Sequence, residues 1–292
     1  GSSLRAARGS SVRPCAPSLA AMGQGAVCRC KDPSASSDVE EVCKYDGVPV
    51  LDLQREAREE CTFESGARYL GEWLGAMRDG EGVQVWPDGG RYEGQFVDNK
   101  AEGMGKFQHA DGDMYEGNWK GDRAHGEGTY VHKDGSTYTG QWDYDKQHGQ
   151  GKETWPDGTK YIGQYKDGSK SGRGRFSWAE GSSYEGEFFE NHIHGKGVYS
   201  WADGRVYSGQ WKGSRMHGRG SFTWSDGRRY DGEYTDDQKA GEGTFAWPDG
   251  RKYVGEWAAG KQHGRGTYYS SGGEQRQGEW LNGTRTHWLE DG

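Results

Sequence analysis

Tyr115-Glu116-Gly117-Asn118-Trp119, then Gly126-Glu127-Gly128, then Asp134-Gly135, is the stretch on which the fold turns. Tyr138 opens the same spelling again, and Tyr recurs at 69, 92, 115, 138, 161, 184, 207, 230 and 253, always 23 residues apart. A fixed period of this length marks a repeat array. Counted from each Tyr, offset 2 is Gly in all nine units, and so are offsets 11, 13 and 20. Offset 4 is always aromatic, from Trp73 and Phe96 to Trp257. Offset 17 is Trp in six units (Trp86, Trp155, Trp178, Trp201, Trp224, Trp247) and His109, His132 or Ser270 in the others.

Within a unit the period is 2. Tyr, Gly and a second ring at offsets 0, 2 and 4 alternate with polar residues such as Glu72, Gln95 and Glu187, which spells a half-buried strand. Offsets 11 to 17, as in Gly197-Val198-Tyr199-Ser200-Trp201, spell a second one. Six variable polar residues, such as those from Asp143 to His148, read as the link between them. Trp86-Pro87-Asp88-Gly89 and its equivalents read as a tight turn, because Pro presets φ and Gly accepts positive φ. Each unit is thus predicted to be a β-hairpin. Glycine inside strands lets neighbouring rings lie against bare backbone. One 23-residue unit buries too little to stand alone, so stability has to come from stacking on neighbours. The expected fold is all-β: an elongated, twisted antiparallel sheet or solenoid of tandem hairpins.

Composition agrees. Glycine makes up 52 of 292 residues, and Leu, Ile, Val and Phe together only 31. That aliphatic poverty would suggest disorder, but 13 Trp, 17 Tyr and 8 Phe supply a core made of rings. Doubly wound sheets, (β/α)₈ barrels and helix bundles are excluded. Net charge is −8 without a basic stripe, which argues against nucleic acid as a partner. No apolar run is long enough for a membrane-spanning helix. All five cysteines (Cys15, Cys28, Cys30, Cys43, Cys61) precede the repeats, which suits a reducing, cytoplasmic compartment.

The 23-residue pattern resembles the MORN repeat (membrane occupation and recognition nexus) over residues 69–275. The resemblance implies a binding or scaffolding module. Family members include radial-spoke-head proteins of cilia, junctophilins, cytoskeletal-collar proteins and regulatory segments of phosphoinositide kinases. It implies protein partners, with a homodimer as one option and phospholipid headgroups as an alternative ligand. The function expected is a non-catalytic scaffold at a cytoskeletal, axonemal or ciliary structure. The alternatives are a peripheral membrane tether and a regulatory partner of a phosphoinositide kinase. A long face of rings is the expected docking surface, represented by Tyr92, Trp119, Tyr138, Trp142, Tyr161, Tyr184, Tyr207, Trp211 and Tyr230, because Tyr and Trp are enriched at interface hot spots.

No catalytic, cofactor or metal site is expected. His125, His148, His194, His217 and His263 recur at offset 10, but residues one repeat apart are too distant to share a metal. The Asp-Gly pairs supply one carboxylate per turn, too few for a calcium loop. No G-K-[ST] follows the paired glycines, so they are no phosphate loop.

Residues 1–37 read as a disordered leader, 38–68 as a linker and N-terminal cap, and 276–292 as a partial tenth repeat and C-terminal cap. Met22-Gly23 followed by Cys28 and Cys30 raises a lipidation option: myristate on Gly23 and palmitate on the two thiols, if translation starts at Met22. Residues 51–62 fit either a short helix or an extended segment.

Overall fold

The computed structural model describes residues 54–290. Among these there are twenty-one β-strands and no helix. They form two compact units, one of residues 54–156 with 166–168, the other of residues 157–165 with 169–290. Within each unit consecutive strands pair antiparallel, as tandem hairpins.

The repeat led by Tyr92 shows the anatomy of the first unit, and that led by Tyr207 the anatomy of the second. Their first strands are Arg91–Val97 and Val206–Lys212, and their second strands Lys100–Gln108 and Arg215–Thr223. The six-residue link expected between them is largely strand. Val97 pairs with Lys100 and Lys212 with Arg215, which leaves two residues in the turn. Both have positive φ (Asp98 48° and Asn99 66°; Gly213 54° and Ser214 63°), a type I′ hairpin turn. Its twist matches that of the flanking strands, so the ladder continues up to it. The signal was present in the dipeptides Asp98-Asn99, Gly121-Asp122 and Asp167-Gly168.

The second turn follows the Trp-Pro-Asp-Gly spelling. The Trp86 amide donates to the Gly90 carbonyl at 2.8 Å and the Gly89 amide to the Trp86 carbonyl at 3.0 Å, closing a three-residue loop. Asp88 Oδ1 accepts the Gly90 amide at 2.9 Å; Asp134 and Asp157 do the same for Ser136 and Thr159 at 2.8 Å. The Asp of the pair is therefore a turn brace.

Two devices fix the frame. At offset 11 the second strand bulges: Gly103 has φ 65° and Gly218 62°, and the register slips beside them. The polar side chain at offset 3 reaches over the bulge. Gln95 Oε1 accepts the Met104 amide at 3.1 Å and Gln210 Oε1 the Arg219 amide at 2.8 Å. The second device staples each I′ turn to the preceding repeat. Asn99 gives its amide to the Arg78 carbonyl (3.0 Å), and its Oδ1 takes the Arg78 amide (2.8 Å). Asp237 and Met216 repeat both bonds at 3.0 and 2.8 Å.

The segment left open between helix and extended chain is a strand over Glu56–Thr62, paired with Arg68–Leu74. In this position it pairs the backbone groups that the edge of Arg68–Leu74 would otherwise leave open. At the other end Gln275–Leu281 and Thr284–Trp288 form a hairpin whose Trp280 ring lies 4.8 Å from that of Tyr253.

Candidate interaction surface

The rings expected to face a partner form the core. Tyr92, Tyr138, Tyr161, Tyr184, Tyr207 and Tyr230 are 0% exposed, and Trp119, Trp142 and Trp211 at most 5%. Within a unit the repeat Tyr meets the offset-4 ring of its own repeat and of the next, edge to face. Tyr92 lies 5.0 Å from Phe96 and 5.2 Å from Trp119; Tyr207 lies 5.0 Å from Trp211 and 5.2 Å from Tyr234. Such contacts stabilise beyond the area they bury. The nine positions are withdrawn from solvent because the neighbouring repeat, rather than a partner, covers them.

The Tyr hydroxyl has a specific task. It crosses the bare backbone at offset 2 and donates to the carbonyl at offset 3, at 3.0 Å in Tyr92→Gln95, 2.8 Å in Tyr138→Gln141 and 2.9 Å in Tyr207→Gln210. A Cβ on Gly209 would fall 2.5 Å from Tyr207 Oη and 2.6 Å from the Gly220 Cα. The offset-2 glycine therefore makes room for a hydroxyl as well as for a ring. Burial raises these phenols, Tyr69 and Tyr253 to about 12, so they stay protonated donors.

The accessible aromatic surface lies at the other end of the strands. In the second unit Trp178, Trp201, Trp224 and Trp247 are partly exposed, while the rings between them, Tyr199, Phe222 and Phe245, are 7% exposed. Centroids run Trp178–Tyr199 5.1 Å, Tyr199–Trp201 4.4 Å, Trp201–Phe222 5.2 Å, Phe222–Trp224 4.4 Å, Trp224–Phe245 5.4 Å and Phe245–Trp247 4.6 Å. Arg205, Arg228 and Arg251 lie over Trp201, Trp224 and Trp247 at 5.2, 5.5 and 5.5 Å. Each is held through Nε by the turn Asp of its own repeat, at 2.7, 2.8 and 2.7 Å. Lys239 sits among four rings, 4.7 Å from Phe245 and Trp257, 5.3 Å from Trp224 and 5.4 Å from Tyr230. Burial, aided by Arg228, lowers its ammonium to about 8. The ring faces pull the other way, towards the cation.

The six offset-17 indoles were legible as a repeat feature, but the Arg stacking was not, since Arg holds offset 21 only at 205, 228 and 251. The offset-3 bulge brace was also missed, although its recurrence as Glu, Gln or Asn was the available signal. The offset-10 histidines lie inside second strands. His125 Nδ1 is 3.5 Å from Asp143 and His217 Nδ1 3.9 Å from Asp236, separate pairs on separate repeats. Among the described residues no three His, Cys, Asp or Glu side chains cluster as metal ligands, and no helix is long and apolar enough to cross a membrane. Gly23, Cys28 and Cys30 lie outside the described residues.

The MORN-repeat family pattern matches nine segments: 69–91, 92–114, 115–137, 138–160, 161–183, 184–204, 207–228, 230–250 and 253–275. No curated protein matches the chain. Among solved structures it is similar to the TCP10 domain of Danio rerio CPAP in complex with a STIL peptide, at 14% identity and TM-score 0.43, covering 82% of this chain and all of that one. It is also similar to the TCP10c domain of Drosophila melanogaster Sas-4, at 13% identity and TM-score 0.31, covering 62% of this chain and all of that one. Likenesses this distant carry no functional inference.

Proposed function

The chain belongs to the MORN-repeat family, and we propose on that premise that it is a non-catalytic scaffold that binds protein partners at a cytoskeletal structure. We place it at an axoneme or cilium because the family includes radial-spoke-head proteins. The observation that supports protein binding is the row of partly exposed indoles at 178, 201, 224 and 247. The row stands on strands whose turns are hydrogen-bonded to their neighbours, so the surface is ordered before a partner arrives, which lowers the entropic cost of docking. The buried phenols are hydrogen-bonded donors with raised pKa values, poor candidates for acid–base or nucleophilic work.

Two measurements test this reading. A tagged copy in its own cell should decorate a cytoskeletal or axonemal structure, and diffuse staining would reject that placement. The full chain, with net charge −8, should stay in the supernatant when spun with anionic vesicles. Pelleting would favour a membrane tether instead.

A further inference from the structure

We propose that the indole row Trp178–Trp201–Trp224–Trp247 docks an extended, acidic segment of a partner protein, in the polyproline II conformation with proline at every third residue. This deepens the scaffold reading and rests on it.

The first argument is pitch. Each pair of successive indoles is joined through one buried ring by steps of 4.4 to 5.4 Å. Two strands at ~4.8 Å set the repeat spacing at about 9.6 Å. A polyproline II helix has three residues per turn at a ~3.1 Å rise, a period of about 9.3 Å. One proline per turn thus meets one indole per repeat over four rungs. An α-helix, with a ~5.4 Å pitch, does not fall into step with this spacing. Tyr199, Phe222 and Phe245 are buried between the partly exposed rungs, so the floor between successive indoles is apolar.

The second argument is charge. The stacked Arg205 and Arg228 use Nε for their turn Asp, which leaves their Nη groups to donate outward. Lys239 adds a third cation behind Trp224. Carboxylates between the prolines would meet these donors. The first unit shows the contrast on the same chain. There His109 and His132 replace the indole, and Asp113 and Ser136 stand where Arg228 and Arg251 do. That stretch has no indole ladder and no Arg at offset 21, so the same ligand should not bind there.

The test is fluorescence anisotropy with the full chain and labelled peptides of five Pro-Glu-Pro triplets, compared with five Pro-Lys-Pro and five Gly-Glu-Ser triplets. Saturable binding of Pro-Glu-Pro at least tenfold tighter than of either comparison peptide supports the proposal. The variants Trp224→His and Arg228→Ser borrow residues that other repeats of this chain hold at those offsets, so the fold should tolerate them, and their melting curves check that it does. Each should weaken Pro-Glu-Pro binding about tenfold, while His109→Ala should leave it unchanged. No binding at millimolar peptide, or equal binding by the variants, overturns the proposal. So does equal binding of Gly-Glu-Ser, which would mean charge alone is read. Co-purification separates the two levels. A protein partner retained equally by wild type and the Trp224→His/Arg228→Ser double variant overturns this surface and leaves the scaffold standing. Binding of phosphatidylserine vesicles that the double variant loses would overturn it by assigning the row to membranes.

Discussion

Gly209→Ala is a sharp test of how the core is built. The added methyl would sit 2.5 Å from Tyr207 Oη, 2.7 Å from its Cζ and 2.6 Å from the Gly220 Cα of the paired strand. Ordinary contact needs about 3.4 Å or more. The Gly220 backbone has to give way in the ladder, and the Tyr207 side chain has to move as well. Moving it breaks the 2.9 Å hydrogen bond to the Gln210 carbonyl and loosens edge-to-face contacts at 5.0 Å to Trp211 and 5.2 Å to Tyr234. A buried unpaired polar group costs ~1–3 kcal/mol and each of the two aromatic pairs is worth ~0.5–1.5 kcal/mol, so the loss should be about 2–6 kcal/mol. For a unit of this size that lowers Tm by roughly 10–20 °C. Gly213→Ala is the comparison: nothing lies within 4 Å of its Cβ, and only the φ of 54° opposes it, a cost of ~1 kcal/mol. Thermal unfolding followed by near-ultraviolet circular dichroism reads both variants. Equal Tm losses, or a Gly209→Ala protein that melts with wild type, would refute the account of hydroxyls crossing bare backbone.

Two further variants address buried charge. Asp145 caps the Ala124 amide at 2.8 Å, and burial raises its carboxyl to about 6. An acid with a raised folded pKa is penalised once ionised, so the penalty is absent below about pH 4 and grows as pH rises towards 6. Asn holds this offset at Asn99 and Asn191, so Asp145→Asn should be ~1–2 kcal/mol more stable at pH 7, after discount for partial exposure, with the gain vanishing below about pH 4; a pH-independent gap in urea melts would contradict this. Lys239, lowered to about 8, is penalised in its charged form, so wild-type stability should climb as pH rises from 8 towards 10.5. Met216 fills the same offset one repeat earlier and is buried, so Lys239→Met should be more stable than wild type by ~1–3 kcal/mol at pH 7. A variant less stable than wild type at that pH would show that the four rings outweigh burial.

What the sequence disclosed and what it concealed follow from the range of each interaction. Offsets 0, 2, 4, 11 and 13 are fixed by contacts within one hairpin or with the next, so they recur nine times and the hairpin could be read from spacing alone. The side of the sheet that faces water could not. Tyr and Trp spell both a core and a hot spot, and only the packing of Tyr207 between Trp211 and Tyr234 shows which it is. The length of the short turn was hidden for a related reason. Offsets 5 to 10 are polar because one of their faces is solvated, and polarity in so short a stretch looks like loop. Offsets 17 and 21 obey a different logic. Trp, His and Ser all occupy offset 17, and Gly, Asp, Ser, Thr, Arg and Glu occupy offset 21, while the same strands and turns form around them. Residues the frame does not dictate are free to be set by something outside it. Arg205, Arg228 and Arg251 fall in three successive repeats, each over an indole, and a requirement of the hairpin itself would have put them in all nine. That confinement to one stretch of one unit is the mark expected of a surface shaped by a ligand.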